Sequence, residues 1–298
     1  MKKIAFFGAT GMLGKPVLQE LVKSGYHVKA LCRNLSRAQA FFPEGVEWIQ
    51  GDLADHDRIE LVLKDADTVY MNLSVDPASK EGDFQPEREG LSAILSVAKW
   101  NDVSHVLFLS SLVQFYQGTN GFQWWVFDVK RHALEKIKRS GLPYTIFYPS
   151  TFMENYTDGG FVMNQKALTI GKSKYPNWLI AAEDYAAMVK NAIERFDGEQ
   201  EKEYVIQGPE GFTLDKAADI FASSSGGRYK KMYLPLSLLK AMGLVNRKYD
   251  YVAHIMEAIN NYPEKFSSEE AWSELGKPRI TFKEFIARRL EDDRGKKE

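Results

Sequence analysis

The sequence predicts an α/β chain built on a doubly wound parallel sheet, and three observations carry that prediction. Short apolar runs recur through the first half, stretches with helical spacing separate them, and a glycine-rich turn joins the first run to the first helix. Ile4 to Phe7 is apolar at every position, the pattern of a strand covered on both faces. After it, "MLGKPVLQELVKSG" places Leu13, Val17, Leu18, Leu21 and Val22 on one helical face, with Pro16 near the first turn and Gly25 as the stop. The alternation continues with "YHVKALC" as strand, "SRAQAFF" as short helix, "VEWIQ" as strand, "RIELVLKDA" as helix and "DTVYMNL" as strand. A helix around Glu87 to Trp100, the strand "HVLFLSS", a helix around Val126 to Ser140 and the strand "YTIFYPS" complete a six-strand series.

After Ser150 this rhythm breaks. The stretch "TFMENYTDGGFVMNQKALTIGKSKYPNWLI" is rich in aromatics, glycine and asparagine, and reads as a cap over the carboxyl edge of the sheet. "EDYAAMVKNAIERF" reads as a helix that rejoins the main sheet and "EYVIQG" as a strand; from Thr213 the chain is mostly helical, with "KKMYLPL" interposed. The expected division is therefore a main domain over 1–155, rejoined by about 178–207, and a smaller α+β domain over 156–177 and 208–298. The end, "EDDRGKKE", reads as a charged, frayed tail.

Composition narrows the partners. Lys+Arg at 39 balance Asp+Glu at 40, so no net field draws the chain to nucleic acid or to an anionic membrane, and a small-molecule partner is expected. Cys32 is the single cysteine, which excludes an intramolecular disulfide and a multi-cysteine zinc site and suits a reducing, cytoplasmic setting. Two lysines before an apolar run mimic a signal peptide, but no apolar stretch approaches the roughly 20 residues of a membrane span, so a soluble protein is expected. His27, His56, His105, His132 and His254 lack metal-ligand spacing, and no metal is expected. No Gly-x-Ser-x-Gly elbow occurs, and the basic run "RYKKMY" reads as a solvated strand edge.

The pattern Gly8-x-x-Gly11-x-x-Gly14 between a strand and a helix converges backbone N–H groups and the positive end of the helix dipole on one spot, which suits a pyrophosphate. Gly8 permits the turn, Gly11 lets backbone approach a ligand, and Gly14 lets helix pack on strand; Thr10, Met12 and Leu13 belong to the same turn. At the end of the second strand, where an acid would accept from the ribose of NAD, stands Arg33, whose guanidinium suits a 2′-phosphate. Asp52 and Leu53 close the third strand, where Asp52 either accepts from adenine or caps a helix, the latter role being open to Asp55 too. Asn72, Ser110, Tyr148, Pro149 and Phe152, at or just beyond the ends of later strands, complete the expected dinucleotide contacts.

"GATGMLG", "GDL" and "VFDVK" together resemble the atypical short-chain dehydrogenases of the NmrA-like group, relatives of the isoflavone and triphenylmethane reductases. "SGLPYTIFYPSTFMEN" and "EDYAAMV", the latter at a helix start near Asp184, extend the similarity, and "YVIQGPEGFTLDKAADIFASSSGG" does so less specifically. The resemblance implies an NAD(P)-binding Rossmann domain with a smaller carboxyl-terminal substrate domain. Some members reduce small molecules with NADPH, and others bind the dinucleotide as redox-sensing regulators.

Typical short-chain dehydrogenases carry Tyr-x-x-x-Lys, whereas this chain has Val126-Phe127-Asp128-Val129-Lys130, so the usual proton donor is missing. The isoflavone-reductase branch shares Val-x-x-x-Lys, and by that resemblance Lys130 is the leading catalytic candidate, acting in proton transfer or in holding the ribose. Ser111, beside Ser110, falls where the family's active-site serine region begins, or simply ends its strand. Tyr116 is a candidate for a displaced phenol or a packing residue. Phe115, Tyr116, Phe122, Trp124 and Trp125, with Phe152, Tyr156 and Phe161, either pack in the core or meet as a flat apolar pocket. Tyr148-Pro149 stands where relatives have Arg-Pro, and Asn155 is expected to hold the following loop. The expected activity is NADP(H)-dependent hydride transfer to a small planar apolar acceptor, with NAD as the second cofactor choice. The alternative is a non-catalytic dinucleotide-binding regulator that contacts a protein partner; an epimerase or dehydratase is disfavoured by the missing tyrosine.

Overall fold

A computed structural model describes residues 2–42, 44–157, 159–198 and 201–295. Seven strands form the central sheet: β1 (Lys3–Phe7), β2 (His27–Cys32), β3 (Val46–Gln50), β4 (Thr68–Met71), β5 (His105–Leu109), β6 (Tyr144–Pro149) and, much later in the chain, β10 (Glu201–Ile206). Their order is β10-β6-β5-β4-β1-β2-β3, and every pair is parallel. The six strands of the sequence pattern are all present, and "EYVIQG" becomes the seventh, adding to the open edge of β6. Strand order reverses beside β1, whose Ile4 pairs with Val28 on one side and Thr68 on the other. A crevice therefore opens at the carboxyl ends of β1 and β4.

Alternation along β1 sorts the two faces. Ile4 and Phe6 pack with α1 (Gly14–Lys23) and α6 (Ala182–Arg195), whereas Ala5 and Phe7 pack with α3 (His56–Leu63), α4 (Leu91–Trp100) and α5 (Trp125–Lys138). The short α2 (Leu35–Phe41) leads into β3. Local signals set several helix starts: Asn34 accepts from Arg37 N to cap α2, and Asp55 accepts from Arg58 N to cap α3. The cap of α3 thus falls to Asp55, while the Asp52 carboxylate accepts from Ala54 N two residues on.

The remaining elements assemble over the carboxyl edge. β7 (Val162–Met163), β8 (Lys166–Ile170) and the later β12 (Lys230–Leu234) make a three-stranded sheet, and β9 (Asn177–Leu179) pairs antiparallel with β11 (Glu210–Phe212). Helices α7 (Leu214–Ser224), α8 (Leu236–Gly243), α9 (Arg247–Asn261) and α11 (Phe282–Gly295) surround these sheets, while α10 (Glu269–Leu275) sends Ala271 and Leu275 into the core beneath α6. Asp184 in the first turn of α6 accepts from the N–H groups of Arg279 and Ile280, tying the carboxyl-terminal segment to the main sheet.

The basic run "RYKKMY" ends in β12, an edge strand parallel to β8 with Lys230 and Lys231 exposed, as expected, and Lys231 pairs with Asp219 at 2.9 Å. One expectation changes. The tail expected to fray from Glu291 instead continues α11 to Gly295; the last part of that expectation, 296–298, lies outside the described residues. No helix among the described residues is long and apolar enough to cross a membrane.

Candidate functional site

The glycine turn divides its labour as its stereochemistry requires. Gly8 has φ +91°, and a Cβ there would sit 1.9 Å from the Asn72 carbonyl oxygen; a Cβ at Gly14 would sit 2.1 Å from Gly8 O. Both glycines are therefore demanded by the fold itself. Gly11 differs: a Cβ there would meet only Gly8 O at 3.3 Å and the Asn72 amide nitrogen at 3.9 Å, and would otherwise fill the crevice. No side chain caps the amino end of α1 and no acid lies in its first turn, so that end presents its amides and partial positive charge to the crevice. A diphosphate fits this cradle.

Two cavities share the turn. One, of about 470 Å³, is walled by Gly8, Thr10, Gly11, Arg33, Asp52, Leu53 and Asn72 together with Ser74 to Pro77. Arg33 is exposed and makes no ion pair with any described residue, so its guanidinium is open to a ligand. The other, of about 380 Å³, takes Leu13, Ser110, Ser111, Lys130, Pro149 and Phe152. Met12, Gly14, Tyr116 and Tyr148 reach neither cavity. Gly14 is buried under the turn, and Tyr148 points to the opposite face of β6, where its hydroxyl donates to Glu203 at 2.6 Å. Tyr116 packs its ring against Phe122 with centroids 5.1 Å apart and does not line the cavity that holds Lys130.

The second cavity is mainly apolar, with walls from Val113, Trp124, Phe127, Phe161, Ile255 and Met256. Of the aromatic clusters, Trp124, Phe152 and Phe161 reach it. Phe115 is exposed, Phe122 packs with Trp124 and Phe127, Trp125 faces a separate surface groove, and Tyr156 is buried against Phe221 and Phe282. Asn155 holds the loop, its side chain donating to Phe152 O while its own carbonyl accepts from Phe161 N.

Lys130 does not stand alone. Its ammonium lies 2.7 Å from Oε1 of Glu87, a residue sequence reasoning did not single out. Glu87 sits in a wide helical turn, Pro86–Gly90, closed by the bond from Gly90 N to Gln85 O; such turns insert an extra residue and re-aim a side chain. The Glu87 side chain is fully buried, its Oε2 has no partner, and burial raises its carboxyl above the ordinary value while Lys130 pulls it down. The missed signal is positional: Glu87 shares one helical face with the apolar Leu91, Ile94 and Ala98.

Tyr251 on α9 and Glu264 just beyond it also reach the cavity, and nothing in their local sequence marks them. Glu264 is buried, with its carboxyl raised by burial, and accepts from Ser150 Oγ at 2.9 Å and from Gln207 Nε2 at 2.7 Å. Ser110 Oγ accepts from Gln114 Nε2 at 2.8 Å. Among the described residues no group of His, Cys, Asp and Glu is placed to hold a metal ion.

Quinone oxidoreductase 2 of Escherichia coli (strain K12) is 25% identical over 257 residues, covering 84% of this chain and 85% of that protein. The photosystem II assembly factor Ycf39 of Trieres chinensis is 23% identical over 260 residues, 86% of this chain and 79% of that protein. The crystal structure of the Escherichia coli NADPH-dependent quinone oxidoreductase complexed with NADPH superposes with a TM-score of 0.76 at 21% identity, covering 96% of this chain and 99% of that one, so the fold is shared. The model of the NmrA-like family matches residues 1–286, and the chain belongs to that family.

Proposed function

We propose that this chain is an NADP(H)-dependent reductase whose acceptor is small, planar and largely apolar. The observation that carries the reading is the juxtaposition at one turn of a phosphate cradle and an apolar cavity with a single cationic pole, Lys130. In this reading the amides around Gly11 and the amino end of α1 hold the diphosphate, and Arg33 holds the 2′-phosphate. Asp52 and Leu53 bracket the adenine, while Asn72, Ser110, Pro149 and Phe152 line the path to the nicotinamide end. When bound, the reduced dinucleotide supplies a hydride. Lys130, oriented by Glu87, holds the ribose or the acceptor oxygen, and the apolar walls exclude water from the acceptor.

The printed name and cofactor of the quinone oxidoreductase relative support the same reading. The sheet of residues 1–155 and 178–207 then acts as the dinucleotide half, and 156–177 with 208–298 as the substrate half, α10 leaning back on the former. A lone, buried Cys32 thiol supports a reducing, cytoplasmic setting.

A second reading, a dinucleotide-binding factor that meets a protein partner, is favoured by the turn between α8 and α9. There the adjacent Leu244 and Val245 stand 88% and 90% exposed. One experiment separates the two. Loss of NADPH absorbance with quinones, enones or cationic dyes establishes the reductase; tight dinucleotide binding with no turnover across that panel overturns it in favour of the binding factor.

A further inference from the structure

Reduction of a carbonyl acceptor by a hydride leaves an oxygen that must take a proton, and Val126 stands where a tyrosine donor is usual. The cavity offers few substitutes. Ser150 Oγ donates to Glu264 and Thr151 Oγ1 donates to Asn177, the Glu264 carboxyl accepts from Ser150, Gln207 and Trp178 N, and Ser110, whose Oγ accepts from Gln114, and Ser111 offer only aliphatic hydroxyls. Aliphatic hydroxyls are in any case weaker acids than a phenol. Lys130 is held by Glu87 at 2.7 Å. Tyr251 remains: it lines the same cavity as Lys130 and Val126, and its hydroxyl has no hydrogen-bond partner among the described residues.

Its ring is well fixed. It packs edge-on against Trp124 with centroids 5.0 Å apart, in the cluster that contains Val126 and Phe127. The small Val126 side chain and the phenol arriving from α9 thus share one patch of wall. Burial, and then the Glu87 carboxylate, push the phenol above its usual value, so it keeps its proton at rest.

We propose that Tyr251 donates the proton to the acceptor oxygen, doing from α9 what position 126 cannot do from α5. The proposal rests on the reductase reading. The acceptor gains two electrons and one hydrogen as hydride from the reduced dinucleotide; its oxygen forms a new O–H bond as the Tyr251 O–H bond breaks. Solvent returns the proton once product leaves.

Tyr251→Phe tests this, because it keeps the ring against Trp124 and removes a hydroxyl that no described residue uses. Binding to the dinucleotide-free protein, followed by tryptophan fluorescence, should weaken about 5–10-fold for anthraquinone and stay unchanged for anthracene, which has the same shape without the oxygens. In turnover, the rate with a quinone divided by the rate with a cationic triphenylmethane dye, which takes a hydride and needs no proton, should fall about 100-fold. An unchanged ratio, or equal weakening of both ligands, overturns the role of Tyr251 while leaving the reductase intact. If the wild-type chain reduces neither acceptor, the reductase reading fails and proton donation fails with it.

Discussion

The Lys130 ammonium and the Glu87 carboxylate meet at 2.7 Å, although Lys130 keeps 14% side-chain exposure and Glu87 keeps none. The pair couples α5 to the turn before α4, and its two halves are not equally replaceable. Burial raises the Glu87 carboxyl despite Lys130, so the folded chain binds that proton more tightly than the unfolded one, and stability falls as pH rises through the folded pKa. Lys130→Met removes the opposing charge and raises the carboxyl further. Its stability deficit should therefore be small near about pH 5 and grow to ~3 kcal/mol by about pH 8, and Glu87→Gln in the same chain should recover most of it. Urea midpoints at the two pH values measure this, and a deficit independent of pH contradicts it.

The glycine turn separates folding from binding. Gly8→Ala places a Cβ 1.9 Å from a backbone oxygen at φ +91°, and should give little folded protein. Gly11→Ala has no positive φ to oppose it and only the 3.3 Å approach to Gly8 O, so it should melt close to wild type. Its methyl enters the crevice, and dinucleotide affinity measured by calorimetry should drop about tenfold or more. Equal affinity would mean that the diphosphate lies elsewhere.

Arg33 should discriminate between dinucleotides. Its guanidinium is exposed, unpaired among the described residues, and on the wall of the larger cavity. Charge-assisted bonds to a phosphate contribute about 1.5–3 kcal/mol, so Arg33→Ala should narrow the ratio of NADP to NAD affinity about tenfold to a hundredfold. Affinity for NAD itself should hardly change. A preserved ratio would remove the phosphate assignment.

Tyr70 and Tyr185 join the sheet to α6 through hydroxyls 3.0 Å apart, both buried. Removing one hydroxyl leaves the other unpaired, so Tyr70→Phe and Tyr185→Phe should each cost about 1–3 kcal/mol. The double variant leaves no orphan and should cost clearly less than the sum of the two. Denaturant titration of the four chains completes the cycle; strict additivity would show that the hydroxyls do not depend on each other.

The sequence by itself determined the sheet, its helices and the cradle. Apolar runs such as Ile4–Phe7 can be buried only in a covered parallel strand, and Gly8 and Gly14 are where backbone crosses backbone without room for a side chain. These are local constraints, written where they act. It also singled out Thr10, Gly11, Arg33, Asp52, Asn72, Ser110, Lys130, Pro149 and Phe152 as one set, because parallel strands deliver their carboxyl ends to the same edge; the structure divides them, the first five onto one cavity and the last four onto the other. Tertiary structure alone decided which residue answers Lys130 and which aromatics reach the second cavity. Glu87 and Lys130 are 43 positions apart, and Tyr251 arrives from a helix whose apolar spacing looks like any core stripe. Such contacts depend on how separate elements stack, and no local periodicity encodes the angle at which α9 meets α5.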